Sequence, residues 1–157
     1  MASVDAICIS TRKGTTKQEV QEANFLTDYG IEGDAHGGKW HRQVSILSRE
    51  SIDKFKRQLK TKDEIQKIYN GAFAENLIIE GLIPSEIKIG QRLRIGEEVI
   101  LEITQIGKEC HNDCIIKKLT GKCVMPTEGL FARVIRGGRV KPGMKVELYN
   151  MAALSNH

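Results

Sequence analysis

Three of the four cysteines in this chain, Cys110, Cys114 and Cys123, fall within 14 residues, and His111 directly follows the first. Two chemistries use such a set. Three thiolates and one imidazole can complete a tetrahedral zinc site. The spacing C-H-x2-C-x8-C argues against zinc, because the usual knuckle brings a close pair of ligands on each side and no second pair follows. The other reading is one reactive thiol. A thiolate carries sulfane sulfur or ligates a soft metal, and nearby cations stabilise it. Lys108 and His111 flank Cys110, and Lys117, Lys118 and Lys122 follow. Cys110 is therefore the candidate nucleophile or metal ligand, with His111 as the second catalytic candidate. A disulfide among these cysteines needs an oxidising setting. Cys8, in an apolar run, reads as a buried small hydrophobe, and Cys123, ahead of Val124 and Met125, fits either role.

Two further segments could hold a ligand. Residues 129–139 (GLFARVIRGGR) set Arg133, Arg136 and Arg139 around Gly137 and Gly138. Arginine forks two donors onto a phosphate, and glycine lets backbone amides approach it. The plainer alternative is a solvated basic turn. Residues 30–41 (GIEGDAHGGKWH) offer Gly33 and Asp34, with Lys39 and Arg42 for an anion. In the same loop Asp34, His36 and His41 could bind a metal, and Asp34 could instead orient a ligand-bound amine or water.

These residues need elements to position them. Residues 4–9, 24–26 and 43–47 read as strands, and residues 29–39 as an irregular loop. Ser48 is an N-cap candidate with Glu50 in the first turn, and Ile52, Phe55 and Leu59 form one helical stripe. Residues 63–69 read as a second short helix. Residues 76–79 and 87–95 (IKIGQRLRI) follow as strands, the latter interrupted at Gly90 as at a bulge. Val99, Leu101 and Ile103 share one face of a strand that ends just before Cys110. Pro142-Gly143 suits a type II turn, and Val146 and Leu148 belong to a last strand. The expected fold is mainly β (α+β): a closed or nearly closed β-barrel of short strands with a few inserted helices, since closure hides the strand edges. Residues 1–150 read as one domain and 151–157 as a disordered tail.

Composition narrows the function. The chain has 157 residues, 40% hydrophobic and 28% charged, which fits one globular domain with its own core. A net charge of +4 allows an anionic partner. Aromatics are only 5%, with no basic run interleaved with aromatics, so nucleic acid is not expected. No apolar run is long enough for a membrane helix, and the N-terminus lacks the pattern of a signal peptide, so the expected location is cytoplasmic.

Four segments in order resemble the MOSC family, the domain found at the C-terminus of molybdenum-cofactor sulfurases. They are 30–36 (GIEGDAH), 73–77 (FAENL), the stretch from Ile89-Gly90 to Ile103 leading into Cys110, and 129–134 (GLFARV) with Gly137-Gly138. Residues 107–111 (GKECH) and 123–126 (CVMP) look like the small bacterial stand-alone form. The resemblance implies a β-barrel with added helices and a functional cysteine at the strand end, Cys110. It implies either sulfur carried from a pyridoxal-phosphate desulfurase to a metal–sulfur centre, or ligation of molybdenum in the pterin cofactor, as in members that reduce N-hydroxylated compounds. The cofactor expected is molybdenum cofactor. Pyridoxal phosphate would come only through a partner, because the chain has no desulfurase domain. The expected partners are a cysteine desulfurase or a molybdenum-cofactor biosynthesis or acceptor protein, with a redox partner for a reductase. Gly33, Asp34, Lys39, Arg42, Arg133 and Arg136 are the cofactor-binding candidates. The alternatives are a non-catalytic pterin- or protein-binding barrel and a zinc-stabilised domain.

Overall fold

The computed structural model describes residues 2–13, 15–107 and 128–149. Cys110, His111, Cys114, Cys123 and the tail 151–157 lie outside the described residues. The elements run β1 (Ala2–Ile9), β2 (Gln18–Val20), β3 (Ala23–Leu26), β4 (Gly30–Ile31), β5 (Val44–Ser48), α1 (Arg49–Arg57) and α2 (Lys62–Gln66). Then come β6 (Leu77–Glu80), a 3₁₀ turn (Pro84–Glu86), β7 (Arg92–Ile95), β8 (Val99–Ile106), β9 (Leu130–Arg136), β10 (Gly138–Val140) and β11 (Lys145–Tyr149).

Seven strands close a barrel in the order β11-β7-β8-β9-β5-β6-β1, and β1 pairs back onto β11. The β5–β6 pair is parallel and the rest of the wall is antiparallel. β11 covers β1 only at Ala2 and Ser3, and β2 covers the further stretch from Ile7 to Ile9. The β1 edge is thereby shielded at both ends of the strand, as a barrel requires. β10, β3 and β4 form a separate small sheet.

Alternation along the strands fills the barrel. Val99, Leu101 and Ile103 of β8 point in with Leu130, Ala132 and Val134 of β9. β9 and β5 are also covered outside. Phe131 and Leu47 join a second apolar cluster with Ile52 and Phe55 of α1. Phe55 meets Phe73 edge-on, with centroids 5.2 Å apart. Burial on both faces makes β5 a nearly continuous buried run.

Local chemistry sets the helix starts. The Ser48 hydroxyl accepts the Ser51 amide at 2.9 Å and caps α1, as expected. Thr61 and Glu64 form a reciprocal capping box at α2. The expected strand over 87–95 is shorter, because Gly90 takes φ +93° in a turn and the regular strand begins at Arg92. Residues 129–139, read as a glycine–arginine ligand loop or basic turn, are mostly strands β9 and β10. Gly137 allows them past β3, because a Cβ there would strike the Phe25 carbonyl. Among the described residues no helix is long and apolar enough to cross a membrane.

Candidate functional site

The loop between β4 and β5 carries the site, and one buried carboxylate holds the loop in place. Asp34 follows Gly33, whose φ of +84° favours glycine. Asp34 Oδ1 accepts the Ser10 amide at 3.0 Å and the Lys17 ammonium at 2.7 Å. Its Oδ2 accepts the His36 amide at 3.1 Å. Lys17 and Asp34 side chains are both fully shielded from solvent. Burial pulls the Lys17 ammonium below the ordinary lysine range, and the bond to Asp34 opposes that pull. The amine that Asp34 orients is therefore Lys17's own.

Lys17 was not a candidate in the sequence, where it ends a polar run. It is brought in by backbone pairing: its amide donates to the Gly71 carbonyl at 2.8 Å. Gly71, at φ +96°, allows this approach, because a Cβ there would meet the Lys17 carbonyl. Lys17 Nζ also lies 2.8 Å from His36 Nδ1 and 3.3 Å from Ser10 Oγ.

His36 leads into a small pocket of about 60 Å³ on the outside of the barrel, lined by His36, Trp40, Arg42, Ser45, Phe73, Ala74 and Phe131. The His36 and Trp40 rings lie nearly parallel, at 11°, and the Trp40 indole donates to the His36 carbonyl at 2.7 Å. Lys13 sits 5.9 Å above the Trp40 ring. Arg42 lies 5.4 Å over the Phe131 ring and donates through Nε to Gln105 at 3.1 Å. Gln105 in turn donates to the Gly107 carbonyl at 2.8 Å. The Thr104 hydroxyl donates to the His41 carbonyl.

Phe73 and Ala74 close the pocket's other wall, and Glu75 and Asn76 follow them in the chain. Asn76 accepts the Ser45 amide at 3.0 Å and donates to the Cys8 carbonyl at 3.0 Å. The Ser45 hydroxyl reaches the Ala74 carbonyl at 3.1 Å. Ala74 is held at φ +61°, a left-handed conformation that costs an alanine about 1–2 kcal/mol. Ala74→Gly is expected to stabilise the fold by roughly 1 kcal/mol, raising the melting temperature by about 3 °C. A thermal melt checks this, and an unchanged or lower midpoint contradicts it. Beside Ala74, the Glu75 carboxyl is fully buried and accepts the Phe73 amide at 2.9 Å. Among the described residues its other oxygen has no hydrogen-bond partner. Burial raises its pKa from 4.5 to about 7.

Of the proposed anion-binding residues, the structure brings Arg42 to the pocket. Lys39 is exposed on the same loop. Arg133 is paired with Asp28 at 2.7 Å and, with Gln43, holds that carboxyl below the usual range. Arg136 is exposed at the far end of β9, roughly 17 Å along the strand from Phe131. Gly33 shapes the turn that presents Asp34. Among the described residues no group of His, Cys, Asp or Glu is placed to hold a metal, so Asp34, His36 and His41 do not form one. Cys8 is buried, and its thiol is pushed up to about 12, chiefly by burial. It is a core residue, as expected.

The MOSC domain model matches residues 32–147, spanning the site loop, both pocket walls and the last barrel strand. The chain belongs to the MOSC domain family. The uncharacterized protein YflK of Bacillus subtilis is 29% identical over 147 residues, covering 86% of this chain and 62% of YflK. This MOSC chain thus spans less than two thirds of that relative. The crystal structure of YuaD from Bacillus subtilis superposes with a TM-score of 0.74 at 18% identity, covering 96% of this chain and 97% of that one. YiiM from Escherichia coli gives 0.67 at 23% identity, covering 94% and 70%. At these identities the two structures establish the shared barrel fold.

Proposed function

We propose that this MOSC domain handles sulfur or molybdenum cofactor through Cys110, as a sulfur carrier to a metal–sulfur centre or as a molybdenum ligand. The observation that carries the reading is the link between the pocket and the strand end ahead of Cys110. Arg42 in the pocket is joined through Gln105 to the Gly107 carbonyl. The Gly107 amide is bonded to the Gly129 carbonyl at 2.6 Å, which ties the end of β8 to the start of β9. Cys110 comes three residues after Gly107.

At about 60 Å³ the pocket is far smaller than a site that encloses a whole cofactor, and its donor set suits one anionic group of a ligand. Arg42 brings a fixed positive charge, and His36 and Trp40 bring ring faces. Lys13 and Lys39 add positive charge nearby. Molybdenum cofactor, when bound, would supply the metal–sulfur chemistry. The protein's share is to bind the anion and present the thiol. A desulfurase, an acceptor protein or an electron donor would be supplied by partners.

Cys110→Ala tests this. The protein is expressed in a host that makes molybdenum cofactor, and metal content is measured. Mass spectrometry of Cys110 follows after incubation with a cysteine desulfurase. Wild type is expected to carry near-stoichiometric molybdenum or a persulfide, and the variant neither. Equal loading of the two proteins overturns the proposal.

A further inference from the structure

Strict alternation along β8 would turn Gln105 into the barrel with Leu101 and Ile103. The strand breaks that rule. Its register against β9 shifts between Ile103 and Gln105, so that Ile103 faces Ala132 and Gln105 faces Phe131. Opposite residues of an antiparallel pair share a face. The extra residue, Thr104, therefore moves Gln105 onto the outer face beside Phe131, a residue of the pocket wall. There the Gln105 amide is used at both ends. Its Oε1 accepts Arg42 Nε at 3.1 Å, and its Nε2 donates to the Gly107 carbonyl at 2.8 Å. Turned over, the amide would set donor against donor and oxygen against oxygen, so its orientation is fixed. The Arg42 guanidinium is held a second time, 5.4 Å over the Phe131 ring. Its Nε is thus occupied, and among the described residues no acceptor is bonded to Nη1 or Nη2.

We propose that Gln105 is a positioning residue, turned outward by the β8 bulge, that aims the Nη1/Nη2 end of Arg42 at a phosphoryl group of the pocket's ligand. Two parallel N–H groups match two oxygens of such a group, and a lysine ammonium could not reproduce either the fork or the bond to Gln105. The surrounding charge favours a dianion over a carboxylate. Lys13 lies over the Trp40 ring of the same pocket, and no Asp or Glu is among the pocket's described lining residues. That the phosphoryl group belongs to a cofactor rests on the functional reading above, whereas the pairing of Gln105 with Arg42 does not.

The experiment is NMR of the arginine Nε–H groups in the full chain without added cofactor, titrated with inorganic phosphate and, separately, with acetate. The Arg42 signal is assigned by its loss in Arg42→Lys. Wild type is expected to show a slowly exchanging Arg42 Nε–H that shifts with phosphate, and to bind acetate more weakly. In Gln105→Leu that signal is expected to exchange fast, and phosphate to bind roughly tenfold more weakly, the effect of one misaligned hydrogen bond to a charged group. A wild-type Arg42 signal that ignores phosphate, or that answers acetate equally well, overturns the proposal without any variant, so the test survives a variant that folds poorly. Folded Gln105→Leu with the wild-type exchange rate and phosphate affinity also overturns it, by removing Gln105's role. Loading of molybdenum or a persulfide at Cys110 enters none of these readings, so failure of the functional reading is separately visible.

Discussion

Lys17→Met is expected to lower the melting temperature by roughly 10 °C, through a loss of about 3–5 kcal/mol. The reason is electrostatic. The Lys17 and Asp34 side chains are both inaccessible to water and lie 2.7 Å apart. Removing one partner leaves the other charge buried without its counter-ion, which costs more than the pair's net contribution. Asp34→Asn is expected to cost a similar amount for the mirror reason. The double variant Lys17→Met/Asp34→Asn removes both charges, and its loss is expected to be clearly smaller than the sum. The site loop hangs on this pair, so the single variants should also loosen His36 and Trp40. Thermal and urea melts of the four proteins close the cycle. Single variants melting within about 2 °C of wild type, or strictly additive losses, would show that the pair is not coupled as the geometry requires.

Glu75→Gln is expected to change how stability depends on pH. The Glu75 carboxyl has its pKa raised from 4.5 to about 7, chiefly by burial. Between those values the folded protein holds a proton that the unfolded chain releases. Stability therefore falls as pH rises through this window, and the group is neutral and harmless below it. At about 1.4 kcal/mol per pKa unit, the loss by slightly alkaline pH is about 3 kcal/mol. Glutamine cannot ionise. Relative to wild type, Glu75→Gln should gain about 3 kcal/mol between roughly pH 4.5 and pH 8. The comparison is one of differences, so the titration of other carboxylates cancels. Urea unfolding at a series of pH values reads it, and parallel curves for the two proteins would exclude Glu75 as the buried titrating group.

The barrel was legible in the sequence where local rules act alone. Val99, Leu101 and Ile103 alternate cleanly, and they form the inner face of β8. Ser48 caps its helix, and Gly143 adopts φ +94° in the expected turn. β9 was hidden because both its faces are covered. Phe131 is apolar on the outside as Ala132 is inside, so no period-2 pattern stands out between the flanking glycines and arginines. The site was legible only in part. Asp34 and Arg42 stood out by type, and both take part in its architecture. Lys17 did not, because nothing in a run of basic and polar residues tells which lysine will be buried. That is decided by the Gly71 backbone, far along the chain. Arg133 and Arg136 looked equivalent to Arg42 by composition, but neither lines the pocket: Arg133 is paired with Asp28, and Arg136 lies at the far end of β9.

The seam between β1 and β11 sets an order of events during synthesis. Ala2 and Ser3 pair with Val146 and Lys145, which belong to the last barrel strand along the chain. On a ribosome, β1 can gain β2 and then β6 as neighbours well before β11 exists. The first residues of β1 must wait with one edge open until every other stave has been made. Until then the nascent wall is an open sheet whose inner face is exposed, which is when a chaperone would have most to bind.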